Sequence, residues 1–347
     1  MRKLLSLLAL LLALCPAARA LSLPYPADTA LSVLELTDAQ RALAEALYTP
    51  IFNHRENIPL PVGTRYDDVR PAMNALMQDC PELFHLGRNF TVTYYRDAPE
   101  IAVSLQPEYR MTAEEAASAR AALYAEAYLL AAADADALAL HDALCSRVVY
   151  GGDTETCHTA VGALLEGRAT CEGYAQALTL LYRMAGIPCA VVVGEAADAA
   201  GVTERHAWNL AALEGYTLID ATWNDQDRLG FNTHWYYGLS TAQMGADHFP
   251  DAGQAIPWCG GQDNWHARQG LVVNTRAEAE EALRGLAETG MVNLRATEDA
   301  LFRLLAEDTH ALIEGYNART PEAAFYGTYS VACSAEQRCV AIRRVEE

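Results

Sequence analysis

Lysine is all but absent from this chain. Lys3 is the only one among 347 residues, and basic residues of both kinds number 25 against 45 acidic. A formal net charge of −20 disfavours nucleic acid and anionic lipid, which are bound through clustered positive charge, so neither is expected as a partner. Beyond residue 20 no apolar run is long enough to cross a bilayer. No acidic stretch has the spacing of a calcium-binding loop. His54, His85, His234, His248 and His266 are scattered, with no spacing that suggests a metal pair, and His141 reads as a packed helix residue. No metal or other cofactor is expected. Low-complexity tracts and long linkers are also missing.

What is present begins with MRKLLSLLALLLALCPAARA. Arg2 and Lys3, an apolar run from Leu4 to Leu14 and then Ala18-Arg19-Ala20 form the pattern of a secretory signal peptide. Leu14 is bulky where a lipid-anchored Cys15 would want a small neighbour. Removing residues 1–20 leaves no lysine, and 22 basic against 45 acidic residues, a formal charge of about −23. The mature protein is expected to be secreted or at the cell surface, with no membrane span. Export permits disulfides. Cys333 and Cys339 flank SAEQR between two strand-like runs and could face each other across a hairpin; Cys145 and Cys157 form a weaker candidate pair.

The pattern divides into an N-terminal α+β segment (21–110), a central segment (111–270) and a C-terminal α+β segment (271–347). Residues 21–35, with Pro24 and Pro26, read as a loose lead-in. TDAQRALAEALY is a helix capped by Thr37 or Asp38. NIPLPV is a short edge strand, since its prolines bar it from a sheet centre. DDVRPAMNALMQDC is helical, and FTVTYY and EIAVSLQ alternate as strands do. Thr112 and Glu115 form a capping-box signature before an alanine-rich helix. A second helix covers about 136–148. The C-terminal segment repeats the N-terminal order α, β, α, β, β without residue-level likeness, which suggests a duplicated flanking domain.

Within the central segment, Thr170 can cap a helix in which Tyr174, Leu178, Leu181 and Tyr182 fall at helical spacing before Gly186 and Pro188 stop it. Cys171 then stands in the first turn, where unpaired N–H groups and the helix dipole favour a thiolate and could stabilise an oxyanion. A buried structural cysteine is the commoner fate of any single cysteine. A thiolate nucleophile needs a base, and the base an orienting acceptor. His206 lies in ERHAWNL and Asp220 in TLIDATW, consecutive strand-like runs. A two-residue turn at 214–215 would put the two side chains on opposite faces. A three-residue loop, Leu213-Glu214-Gly215, would pair His206 with Thr222 and put Asp220 on the same face as His206, with Gly215 left-handed at its third position. An odd-length turn or bulge is therefore expected.

HTAVGALLEGRATCEGYAQALTLLYRMAGIPCAVVVGEA followed by HAWNLAALEGYTLIDATWND resembles the bacterial transglutaminase-like superfamily. The Cys-Glu-Gly-Tyr-Ala helix start, the Gly-Ile-Pro break, His-Ala-Trp-Asn and Asp-x-Thr-Trp carry the resemblance, with HDALCSRVVY and YYGLSTAQMGADH in support. The N-terminal region looks like the flank of exported members from Gram-positive bacteria. The resemblance implies an α+β, papain-like core with small α+β flanks and a Cys171, His206, Asp220 triad. The resemblance leaves the reaction open; a thioester route on peptide or carboxamide bonds that ends in hydrolysis (a peptidase or amidase) is the expectation. Protein crosslinking is one alternative, and a non-catalytic surface module that binds a peptide or acts as a scaffold is another. The substrate expected is a peptide or protein, the cell wall being one source. Trp208 and Trp223 are walls of the site or plain core. Gln176 and His158 are candidates for the oxyanion side chain. Trp258, Trp265 and Gly260-Gly261 lie where a loop could roof a cleft.

Overall fold

The computed structural model describes residue 29 and residues 31–345, apart from 133–135, 227, 228 and 230. The expected signal segment, Cys15 within it and most of the lead-in lie outside the described residues.

The chain opens with α1 (Asp38–Phe52), β1 (Ile58–Pro59), α2 (Tyr66–Asp79), β2 (Leu86–Tyr95) and β3 (Ala98–Tyr109). Thr37 caps α1 in a reciprocal box with Gln40. β1 sits at the edge of a sheet of order β1-β3-β2, as its prolines require. Leu47, Ile51, Met73 and Leu105 form the core of this part. Then come α3 (Ala113–Ala131), boxed by Thr112 and Glu115 as expected, and α4 (Ala137–Cys145). The short β4 (Val149–Tyr150) pairs in parallel with β5 (Arg168–Ala169). α5 (Cys171–Met184), β6 (Cys189–Ala197), β7 (Thr203–Ala212), β8 (Tyr216–Ile219), α6 (Ala221–Asn224), β9 (Tyr237–Leu239), α7 (Thr241–Met244), β10 (His248–Pro250) and α8 (Trp265–Arg268) complete the middle of the chain. The central sheet has the order β10-β6-β7-β8-β9.

The last part comprises β11 (Val272–Val273), α9 (Arg276–Ala282), α10 (Arg284–Thr289), β12 (Met291–Ala296), α11 (Asp299–Glu307), α12 (Thr309–Arg319), β13 (Tyr329–Ser334) and β14 (Cys339–Arg344). Its sheet order is β11-β12-β14-β13, over a core that includes Leu286, Leu294, Leu305, Leu312 and Ile342. The two flanks share a connectivity. In each, the strand between the helices pairs antiparallel with the last strand, which in turn pairs antiparallel with the strand before it. The C-terminal flank adds β11, parallel to β12.

Packing divides the chain into two compact units. One is the described part of Met1–Val193 with Ala207–Ala212 and Pro250–Ile256; the other is Gly194–His206, Leu213–Phe249 and Pro257–Glu347.

In the first unit the described end of the lead-in is docked. Val33 is buried, and Leu34 bridges Gln254. Arg183, at the end of α5, is buried and satisfied by carbonyls: Nε donates to Cys189 at 2.8 Å, and its terminal nitrogens to Asp79 at 2.5 Å and Leu31 at 2.8 Å. A guanidinium keeps its charge, so burying it demands this kind of acceptor set.

No disulfide joins the described cysteines. Cys333 pairs with Val340, and Ser334 with Cys339, so Cys333 and Cys339 are one position out of register. One position in a strand turns a side chain to the other face; Cys339 is buried and Cys333 exposed. Cys145 instead lies 3.7 Å from His141 Nε2, and Cys157 lies 3.0 Å from the Thr154 hydroxyl.

Candidate active site

Cys171 is the first residue of α5, as its helical spacing predicts. It is half-buried and packs on a small apolar cluster of Ala175, Val191 and Ala207, the last being the residue after His206. Gly173 is required by close approach. A Cβ there would stand 2.4 Å from the Cys157 carbonyl oxygen and 2.8 Å from Ala169 Cβ, so only glycine lets the first turn lie against the preceding segment. Asn209 on β7 ties to the same helix, its amide donating to the Ala175 carbonyl and the Thr179 hydroxyl, both at 2.9 Å.

Thr170 occupies the N-cap position of α5, but its hydroxyl does not cap the helix. It is drawn instead to His158 Nδ1 at 3.0 Å. The first turn of the cysteine helix therefore has no side-chain cap competing for its N–H groups.

In the second unit, the loop between β7 and β8 has the odd length that parity asked for, Leu213 to Gly215. Its closure differs from expectation. Gly215 is not among the glycines with positive φ. The Leu213 N–H donates to the Gly215 carbonyl at 2.9 Å, and a Cβ at 215 would meet nothing closer than the Gln262 side chain at 3.6 Å. The register argument is also overtaken. β8 ends at Ile219, and Asp220 leaves the strand to become the N-cap of α6, which contains Thr222 and Trp223. Asp220 Oδ1 accepts the Thr222 N–H at 2.8 Å and the Trp223 N–H at 3.2 Å. Oδ2 is left for imidazole: His206 Nε2 lies 2.8 Å away.

Burial would raise the pKa of Asp220, but the imidazoles of His206 and His248 outweigh it and hold the carboxyl below the ordinary range. With Asp220 ionised, His206 must carry its proton on Nε2, which leaves Nδ1 as the basic nitrogen of the neutral ring.

Residues 122–223 match the sequence profile of the transglutaminase-like superfamily. The chain carries a transglutaminase-like domain. It is an α+β protein in which that domain contains Cys171, His206 and Asp220 and has small α+β flanks. Among solved structures, a candidate cysteine protease from Cytophaga hutchinsonii is similar at 14% identity, covering 39% of this chain and 61% of that one, with a TM-score of 0.25. A chain described as a TGase is similar at 14% identity, covering 48% of this chain and 50% of the other, with a TM-score of 0.27. The present chain thus spans less than two thirds of either. A search of curated proteins gives no match.

Sequence spacing does not single out His248, yet it joins the site. Its Nε2 lies 3.1 Å from Asp220 Oδ2, and its Nδ1 lies 2.6 Å from Asp247 Oδ1. Asp247 Oδ2 accepts the Tyr236 hydroxyl at 2.8 Å and the Gln337 amide at 3.3 Å. The only signal was the Asp-His pair inside YYGLSTAQMGADH. The donor atoms of His206, Asp220 and His248 lie within 4.8 Å of one another. Their 2.8 and 3.1 Å N···O separations are those of hydrogen bonds, so protons fill the space between them.

The aromatic and oxyanion candidates divide. Trp223 is half-buried, its ring 5.3 Å from that of His206 and 4.6 Å from that of His248. Trp208 is 1% exposed and belongs to the core, with no face to offer a substrate. The Gln176 amide donates to the Met77 and Gln78 carbonyls, both at 3.0 Å, which leaves neither of its protons for an oxyanion. His158 is turned to Thr170 and lies 3.5 Å from Glu172. Trp258 is largely exposed. Trp265 opens the short helix α8 and stacks on His234 at 4.6 Å.

Proposed function

We propose that the protein is an exported, cysteine-dependent acyl-transfer enzyme that hydrolyses peptide or carboxamide bonds. Cys171 Sγ attacks the carbonyl carbon while His206 Nδ1 takes the thiol proton. The tetrahedral oxyanion is met by the uncapped N–H groups that open α5. Collapse expels the amine, which leaves with the proton held by His206, and a thioester remains. Water, deprotonated by His206, then cleaves the thioester, releasing the acid and the thiol. Asp220 keeps His206 in the tautomer this sequence of transfers needs.

The observation that carries the reading is the Asp220 carboxylate, anchored by two backbone N–H groups on one oxygen and offering the other to His206 at 2.8 Å. A carboxylate retained only for packing would not need that division of its two oxygens.

The test incubates the full chain with a glutamine-containing peptide, with and without a primary amine, and reads the products by mass spectrometry. Release of acid in both arms supports hydrolysis. Incorporation of the amine in its place makes the protein a crosslinker. Iodoacetamide alkylation of Cys171 at the rate of an ordinary thiol, unchanged in His206→Ala, would leave a binding module and end the enzyme reading.

A further inference from the structure

Both ring nitrogens of His248 face carboxylate oxygens, Asp247 Oδ1 at 2.6 Å and Asp220 Oδ2 at 3.1 Å. An ionised carboxylate only accepts, and a neutral imidazole has a single N–H. A neutral His248 would thus press a lone pair against one of the two carboxylates, unless that carboxylate held a proton. Each carboxylate also accepts from other donors. Asp247 Oδ2 takes Tyr236 and Gln337, and Asp220 Oδ1 takes two backbone N–H groups. The side chains of His248, Asp220 and Asp247 are almost wholly buried, so the charges are screened little.

We propose that His248 is a standing imidazolium that neutralises Asp220 and thereby holds down the basicity of His206, making it a positioning residue for the base. Its ring centre lies 5.4 Å from that of His206, in edge-to-face contact, so its charge also acts on His206 directly. Burial disfavours the charged form of His248, and its two carboxylate partners more than reverse this. Among the described contacts, the titratable groups facing His248 are Asp220, Asp247, His206 and Tyr236. Arg295 stands one step away, through Gln337. The consequence for catalysis rests on the acyl-transfer reading; the protonation state of His248 does not.

The test uses the full chain labelled with 15N-histidine, in the Cys171→Ala background, followed by NMR against pH. His248 is expected to show the imidazolium pattern of both nitrogens at pH 7, above the range in which an ordinary histidine is protonated. Replacing it by glutamine should raise the titration midpoint of His206 by about one to two pH units, the effect of losing a nearby positive charge at this separation. Asp247→Asn should turn His248 into a neutral tautomer and move His206 in the same direction, and it serves if His248→Gln does not fold. A neutral tautomer of His248 at pH 7 in the Cys171→Ala protein, or a His206 midpoint that stays in place in a folded variant, overturns the proposal. If the NMR outcome holds while Cys171 in the unsubstituted chain alkylates as an ordinary thiol, the enzyme reading fails and the assignment of His248 survives.

Discussion

The surroundings of Cys171 and those of His206 are built on different principles. Cys171 is placed by backbone and shape: a first helical turn, a glycine that admits close approach, and small apolar neighbours. His206 is placed by charge, in a buried chain of alternating imidazole and carboxylate. A thiol makes weak hydrogen bonds and needs little more than position. An imidazole that must hold one tautomer needs a fixed acceptor. Damage near the cysteine should therefore be steric, and damage near the histidine electrostatic.

The largest effects test whether both settings serve one reaction. Cys171→Ala should lower turnover of a glutamine peptide by about 10³-fold or more, with melting unchanged. Asp220→Asn should cost about 10²–10⁴-fold by favouring the wrong His206 tautomer, and should also lower the melting temperature, because the side chain caps α6. Equal and small losses in both would break the comparison. Gly173→Ala comes next. It should destabilise by about 1–3 kcal/mol through overpacking alone, measured by urea unfolding, with no change in the pH profile.

The charge chain should show its own pH signature. The pKa of His248 is raised on folding, so its contribution to stability is complete below about pH 6.5 and is lost as pH rises through the folded value. Asp220 is depressed, so its contribution is present above about pH 3.9 and is lost as pH falls through the folded value. Elsewhere, His266 is pushed down to about 3 by burial and then by Arg295, so stability should fall as pH drops from about 6.5 toward 3, by up to about 1.4 kcal/mol per pH unit. His266→Gln should remove that acid loss while leaving the alkaline limb set by His248, as followed by thermal melts across pH. The smallest effect compares two threonines. Thr112→Ala should cost about 1 kcal/mol, since Thr112 closes a capping box, whereas Thr170→Val should stay within about 0.5 kcal/mol.

Much of the cysteine setting was legible because it is local. Helical spacing, stop signals and glycine are neighbours in sequence, and the first residue of α5 follows from them. The capping box at Thr112 and the odd loop at 213–215 are local in the same sense. The histidine setting was legible only in part. Parity made a shared face for His206 and Asp220 plausible, but strand pairing was the wrong device. Asp220 leaves β8 because its side chain can satisfy two N–H groups at the start of α6, a competition between cap and ladder that alternation does not weigh. His248 was invisible because it meets Asp220 across 28 residues of chain, and no local period encodes such a meeting. The cysteine pair at 333 and 339 failed by one position of register, the smallest shift that reverses a face.

The undisulfided state of the cysteines also bears on how the molecule is made. Among the described residues no disulfide has to form, so refolding should proceed fully in excess reductant without a disulfide isomerase. Oxidant during refolding could then only trap stray thiols, among them the exposed Cys333, although burial and Glu336 hold its thiol pKa up and slow its capture. With such a thiol on its surface, the chain folds best in the presence of oxidant when it folds fast.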